Sequence, residues 1–249
     1  MTDTGLWRYL PWDSDFFGYR IGRIGPTRLL PEMLTQILRE GEAAGIECLY
    51  LLADPADVST VRQAEDAAFR LVDLRVTLKT GVARSAPQQE PQQNTIIRPV
   101  RFADIPALRA IAAVSYRDSR FYYDGHFSHE RCAALYAQWI EQSCREAAAG
   151  VLVAERDARV VGYISCGRQG TRAGQIGLVG VATEAQGLGI GSRLMIEAMR
   201  WFAAQEIEQV TVVTQGRNTQ AQRLYQRHGF LTHSVELWYH RWAGHQPNE

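Results

Sequence analysis

Residues 186–191, Gln-Gly-Leu-Gly-Ile-Gly, stand between the apolar stretch Ile176 to Val181 and the helical run Ser192 to Ala204. Strand, glycine turn and helix in that order let several backbone N–H groups converge at a helix N-terminus, where the helix dipole also favours an anion such as a phosphate. The glycines do not follow the order Gly-x-Gly-x-x-Gly, and no Gly-Lys-Ser/Thr closes the turn, so neither a dinucleotide fingerprint nor a Walker loop is present. A strand-to-helix turn without a ligand is the plainer alternative.

A second pattern lies downstream in Asn-Thr-Gln-Ala-Gln-Arg-Leu-Tyr-Gln-Arg-His-Gly-Phe, residues 218–230. Asn218 is suited to cap a helix and Gly229 to end it, while Ala221 and Tyr225, four apart, share a helix face. Val210 to Thr214 reads as a strand between the two patterns. Taken alone, Tyr225 is equally a packed aromatic with its hydroxyl at the surface.

The two motifs in this order resemble the Gcn5-related N-acetyltransferase (GNAT) superfamily, whose Gln/Arg-x-x-Gly-x-Gly/Ala loop holds the pyrophosphate of acetyl-CoA. The resemblance implies an α/β (α+β) mixed sheet of the GNAT fold, acetyl-CoA as cosubstrate and no metal. It also implies a coenzyme-binding set of Val179, Val181, Gln186, Gly187, Leu188, Gly189, Ile190, Gly191, Ser192 and Asn218. In that set the main chain at Val179 and Val181 pairs with pantetheine as an added strand would, and the Val179 N–H faces the thioester oxygen. Gln186 donates hydrogen bonds without the charge of the commoner arginine, which leaves Arg193 and Arg227 as candidate cations. Tyr225 is the expected general acid: a phenol of pKa about 10 stays protonated where a thiol of about 8.5 does not.

The chain has 249 residues with 27 basic and 27 acidic side chains. No net charge selects a nucleic acid or an anionic membrane. Cys48, Cys132, Cys144 and Cys166 form no Cys-x-x-Cys pair, so reduced thiols are expected rather than a zinc site or a disulfide framework. No leader-like segment and no apolar run near the ~20 residues of a membrane span is visible, which points to the cytoplasm.

Residues 85–95, Ser-Ala-Pro-Gln-Gln-Glu-Pro-Gln-Gln-Asn-Thr, read as a linker. They divide residues 1–84, a truncated GNAT-like N-terminal domain by resemblance, from a catalytic domain at 96–249. In the first part, strands are expected at Tyr19 to Ile24, Cys48 to Leu52 and Phe69 to Leu78, with helices at Pro31 to Ala44 and Val58 to Ala68. The alternation in the last strand breaks near Asp73 and Leu74, as at a bulge. In the second part, the expected order is strand Ile96 to Pro99, helices Asp104 to Val114 and Ser128 to Glu146, then strands Val151 to Glu155, Val160 to Cys166 and Gln175 to Val181. The helix after Gly191, strand Val210 to Thr214, the helix bearing Tyr225 and strand Leu231 to Tyr239 complete it.

A wider resemblance rests on Trp12-Asp-Ser-Asp-Phe-Phe-Gly18, Asp104-Ile-Pro-Ala-Leu-Arg109, Ser119-Arg-Phe121 and Tyr136-Ala-Gln-Trp-Ile-Glu141. These resemble the TDP-fucosamine N-acetyltransferase type, although the loop at 186–191 is closer to the general superfamily. The resemblance implies a nucleotide-sugar acceptor, TDP-4-amino-4,6-dideoxy-D-galactose or a related 4-amino sugar, and a water-mediated base at Asp73. The alternative for Asp73 is a carboxylate paired with Arg70 or Arg75.

Residues 119–128, rich in aromatics, supply the expected acceptor-binding residues Arg120, Tyr122, Tyr123 and His126, with Arg120 suited to a diphosphate. An ordered loop with partly buried tyrosines is the alternative. His126, Asp124 and Glu155 are fallback bases. Acetylation of another amine, non-catalytic coenzyme binding and a homodimer through a sheet edge stay open.

Overall fold

The computed structural model describes residues 5–82, 95–146 and 150–244. Its first part contains β1 (Trp7–Tyr9), α1 (Pro11–Phe17), β2 (Ile21–Ile24), α2 (Pro31–Ala43), β3 (Cys48–Ala53), α3 (Val58–Asp66) and β4 (Arg70–Gly81). Its second part contains β5 (Thr95–Pro99), α4 (Ile105–Ser115), α5 (Arg120–Asp124), α6 (His129–Arg145), β6 (Gly150–Arg156), β7 (Arg159–Arg168), β8 (Ala173–Val181), α7 (Ile190–Ala204), β9 (Gln209–Gln215), α8 (Thr219–Arg227) and β10 (Leu231–Trp242). β1, α1 and α5 have no counterpart among the expected elements. Of the expected linker at 85–95, residues 85–94 lie outside the described residues, and Thr95 already belongs to β5.

One ten-stranded mixed sheet runs β1-β2-β3-β10-β4-β9-β8-β7-β6-β5. The final strand β10 is thereby inserted between β3 and β4 of the first part, antiparallel to both. β4 in turn pairs antiparallel with β9 from Arg75↔Gln215 to Gly81↔Gln209. The two parts therefore share central hydrogen-bond ladders, and neither can be removed without leaving rows of backbone groups unpaired.

Register decides what each face buries. Gly174 and Ile176 of β8, Val210 and Val212 of β9 and Leu78 of β4 line up on the face that packs against α7, where a side chain on Gly174 would meet Phe202. The same parity carries through Val235 and Tyr239 of β10 to Leu51, whose face packs against α2 and α3. The opposite face holds α1, α4, α5 and α6, with Phe17, Phe121, Phe127 and Leu135 buried there. The β6–β7 turn has left-handed Asp157 and Ala158 (φ 50° and 60°), as a tight hairpin requires.

The break expected near Asp73 is a bulge. Trp238 opposes Asp73 and Tyr239 opposes Leu71, leaving Val72 extra. The entry to α4 is held by Arg98, whose guanidinium reaches both Asp104 oxygens at 2.7 and 2.9 Å and Glu155 at 2.7 Å.

Candidate active site

β8 and β9 pair as parallel strands only from Ala173↔Gln209 to Ile176↔Val212, and beyond that point they diverge. The cause is local. Across β7, Ile164 opposes Val179 and Cys166 opposes Ile176, so Ser165 faces the two residues Gly177 and Leu178. The Ser165 hydroxyl accepts the Leu178 N–H at 2.7 Å, and a Cβ on Gly177 would lie 2.7 Å from the same oxygen. A side chain at 177 would displace the serine, so glycine is needed for close approach there. Leu178 and Ala182 turn their N–H groups toward β7. The alternation of a strand then turns those of Val179 and Val181 toward the gap left by β9.

That gap opens into a cavity of about 730 Å³ lined by Val179, Val181, Gln186, Gly187, Gly189, Ile190, Gly191, Ser192, Asn218 and Tyr225. Of the expected coenzyme set, Leu188 alone is not among the lining residues. Gly187 and Gly189 adopt φ of 76° and 71°, a left-handed turn that residues with a Cβ rarely enter. Gly189 leads directly into α7, so the turn and the first N–H groups of that helix face the cavity.

The side chains at the loop divide their tasks. Gln186 donates to the Val181 carbonyl at 3.3 Å, bracing the turn. The Ser192 hydroxyl pairs with His228 at 2.7 Å, which ties the start of α7 to the end of α8. Arg193 donates instead to the Thr95 carbonyl at 2.9 Å, whereas Arg227 lines the cavity together with Arg223, a cation absent from the sequence reading.

α8 brings Tyr225 to the cavity. The Asn218 side chain accepts the Ala221 N–H at 2.9 Å, and at the far end Phe230 and Gly229 donate back to Tyr225 and Gln226, so both helix ends are closed as expected. Tyr225 is 5% exposed, and burial holds its phenol well above its ordinary pKa. A second phenol also lines the cavity: Tyr116 donates to the Val179 carbonyl at 3.1 Å and lies 2.9 Å from the hydroxyl of buried Tyr163. Tyr116 gave no signal in the sequence because its role depends on α4 crossing β8.

Asp73 does not line this cavity. It projects from the same sheet face as Arg75, which pairs with Gln215 of the cavity wall, and it lies two residues along β4 beyond the last pairing with β9. Asp73 is 4% exposed, and burial raises its carboxyl to about 6 against the opposing pull of Arg217 and the Leu74 N–H. Its expected alternative partner Arg75 is taken by Glu236 at 2.5 Å.

Residues 119–128 form α5 and its flanks rather than a loop. Arg120 donates to His240 Nε2 at 2.6 Å and lies over Tyr50, Phe121 and Trp238. Tyr122 packs on His129, and exposed Tyr123 carries the Arg217 guanidinium 4.0 Å from its ring centre. His126 stacks on Trp242 at 4.3 Å and pairs with Asp124 at 2.7 Å. None of Arg120, Tyr122, Tyr123 and His126 lines the cavity. Of the fallback bases, Asp124 is occupied by His126, His240 and Trp242, and Glu155 by Arg98.

A splayed β8–β9 pair, a glycine turn at a helix N-terminus and a buried phenol thus meet around one cavity. The model of the acetyltransferase (GNAT) family matches residues 110–230. The dTDP-fucosamine acetyltransferase of Escherichia coli is 31% identical over 234 residues, covering 93% of this chain and 96% of that protein. The spore coat polysaccharide biosynthesis protein SpsD of Bacillus subtilis is 28% identical over 57% of this chain and 48% of its own length. Among solved structures, a GCN5-related N-acetyltransferase from Sphaerobacter thermophilus superposes with a TM-score of 0.69 at 17% identity, covering 95% of this chain and 76% of that one. The chain belongs to the GNAT acetyltransferase family and is an acyltransferase. Members of the family use acetyl-CoA. Among the described residues no helix is long and apolar enough to cross a membrane.

Proposed function

We propose that the protein transfers the acetyl group of acetyl-CoA to the amino group of a nucleotide-linked amino sugar, TDP-4-amino-4,6-dideoxy-D-galactose or a related 4-amino sugar. The observation that carries the transfer chemistry is the shared cavity of Val179 and Tyr225 above the glycine turn. The sugar reading is supported by the near full-length similarity to a dTDP-fucosamine acetyltransferase and by the partial similarity to a polysaccharide biosynthesis protein. On this reading the first 84 residues act as a truncated GNAT-like unit on the acceptor side, and the protein works in the cytoplasm.

The residues fit the donor. Val179 and Val181 offer outward-facing backbone groups to the pantetheine amides, and Gly187, Gly189, Gly191 and Ser192 offer amides to the pyrophosphate. Leu188 sits within the turn, Ile190 opens α7, and Asn218 caps α8. Arg223 and Arg227 supply the charge that neutral Gln186 lacks. Acetyl-CoA brings an activated thioester; this chain's part is to place it and to manage protons.

The Val179 N–H stabilises negative charge developing on the carbonyl oxygen as the amine nitrogen bonds to the carbonyl carbon. Asp73 accepts the amine proton through water, and Tyr225 gives its proton to the sulfur as the C–S bond breaks. A carboxylate with a pKa near 6 is ionised at neutral pH yet basic enough for this task.

Thiol release from acetyl-CoA, measured with a panel of amino-sugar nucleotides, free amino sugars, polyamines and peptides, tests the reading. Turnover confined to nucleotide-linked amino sugars is expected. Equal turnover of unrelated amines overturns the acceptor assignment, and coenzyme binding without any turnover overturns the enzyme assignment.

A further inference from the structure

Helices cover the α1/α5 face of the sheet unevenly. On that face Arg8 of β1 stands opposite Arg23 of β2, Arg23 opposite Tyr50 of β3, and Tyr50 opposite His240 of β10. Farther along β10, Trp238 and Glu236 stand opposite Asp73 and Arg75 of β4. α1 and α5 close over Tyr50 and His240, while Arg8 is exposed and Arg23, Arg75, Glu236 and Trp238 are half-buried. A polar strip therefore runs across the sheet from β1 to Asp73.

Its charges are unbalanced. Arg75 is neutralised by Glu236 at 2.5 Å. Arg8, Arg23 and Arg120 all act on Asp13, Glu236 is also in range of Arg23 and Asp73 in range of Arg120, so with Arg75 four guanidiniums meet three carboxylates on this strip among the described residues. The guanidinium carbons of Arg23 and Arg120 lie 5.1 and 4.4 Å from the centre of the same Trp238 ring. Burial, and then repulsion from Arg8, Arg120 and Arg75, holds the Arg23 pKa below its ordinary value. The buried Tyr50 hydroxyl, beneath Arg120 and within the field of Asp13, has no hydrogen-bond partner among the described residues.

Converging guanidiniums that lack enough carboxylates repel one another, and an anion with several oxygens relieves that repulsion through planar, bidentate contacts. Trp238 adds an aromatic face at the same place. Both guanidiniums lie over Trp238, and Trp238 stands directly across from Asp73, so the cluster sits beside the strand that carries the candidate base.

We infer that Arg8, Arg23 and Arg120 form the seat for the diphosphate of a nucleoside-diphosphate-linked acceptor, with Asp73 marking the end of the strip where the amine arrives. This rests on the acceptor reading above and assigns it to a surface separate from the coenzyme cavity. None of these arginines lines that cavity.

The test is calorimetric titration of the full chain, saturated with coenzyme A to fill its own diphosphate site, with thymidine 5′-diphosphate, uridine 5′-diphosphate and inorganic pyrophosphate. Nucleoside diphosphates are expected to bind, more weakly at high salt. Their affinity should fall about tenfold or more in Arg23→Gln, as loss of a charged hydrogen bond implies. Coenzyme A affinity is expected to stay unchanged. Arg8→Gln, at the exposed end of the strip, gives a second variant should Arg23→Gln fail to fold.

Absence of nucleoside diphosphate binding, or equal affinity in the folded variants, overturns the seat. Binding of pyrophosphate alone overturns the nucleotide-linked occupant. The titration needs no turnover, so its failure is distinct from a failure of acetyl transfer, which would overturn the proposed function instead.

Discussion

The Ser165 hydroxyl accepts the Leu178 N–H at 2.7 Å inside the β7–β8 bulge, the place a Cβ on Gly177 would enter. One hydroxyl thus substitutes for a strand carbonyl at the residue where β8 and β9 part. The divergence that opens the cavity begins at this side-chain bond on the far side of β8, and the glycine turn follows downstream.

Gly177→Ala is therefore expected to raise the KM for acetyl-CoA and to cost about 1–3 kcal/mol of stability through overpacking. At this chain length each kcal/mol corresponds to roughly 2–4 °C in Tm. In a Ser165→Ala background the same substitution meets no hydroxyl, and its added cost should shrink to well under half. Thermal melts and acetyl-CoA kinetics on the four proteins check this, and equal costs in both backgrounds would refute the bulge account.

Tyr225→Phe should lower kcat by about 10²-fold, the low end for a positioned acid, while the KM for acetyl-CoA changes little. Burial keeps the phenol protonated well above neutral pH, so wild-type activity should show no loss from Tyr225 ionisation below pH 9. Full turnover in the variant, with Tyr116→Phe impaired instead, would move the acid role to the second phenol.

Asp73 yields a prediction with two signs. As a base it must be ionised, so kcat/KM should fall as pH drops through about 6, and Asp73→Asn should remove most turnover together with that limb. For stability the direction reverses. A carboxyl whose folded pKa is raised favours the folded state at low pH, and that contribution is lost as pH rises through about 6. Asp73→Asn should then gain on the order of 1–3 kcal/mol near pH 8. A variant that is both less active and less stable at that pH would reject the buried-base account.

The loop at 186–191 and the helix bearing Tyr225 were legible because their chemistry is local. Left-handed Gly187 and Gly189, the Asn218 cap and the turn at Gly229 each depend on neighbours within a few residues. Ser165 and Tyr116 were not legible, since their partners lie 13 and 63 residues away and meet them only through strand register and helix packing. The form of the acceptor side was hidden for the same reason. The aromatic stretch at 119–128 looked like a binding loop, yet Phe121 and Phe127 are buried core residues and Arg120 is turned onto β10. Arg8 and Arg23 carry no motif, and only the pairing of β1, β2, β3 and β10 sets Arg23 beside Trp238 with Arg8 across from it.

Asp124, a fallback base by sequence, is a structural hub whose oxygens accept from His126 Nδ1 at 2.7 Å, from Trp242 Nε1 at 3.0 and 3.1 Å, and from His240. Burial opposes its ionisation, but the hydrogen bonds from His240, Trp242 and His126 prevail and hold its carboxyl at about 2. Burial also keeps His240 neutral, so its Nδ1–H faces Asp124 and its Nε2 is left to accept from Arg120. Asp124→Ala leaves the buried His240 Nδ1–H without an acceptor in the interior and should cost about 1–3 kcal/mol. A depressed carboxyl pKa stabilises the fold above the unfolded value near 4, and this is lost as pH falls toward 2. Below about pH 6.5 neutral His240 adds to the acid sensitivity, because the unfolded chain takes up a proton that the folded site refuses. Urea melts of wild type and Asp124→Ala at pH 3 and 7 should show the variant weaker at pH 7, with the gap narrowing on acidification. A gap that widens at pH 3 would mean that the carboxylate does not carry this cluster.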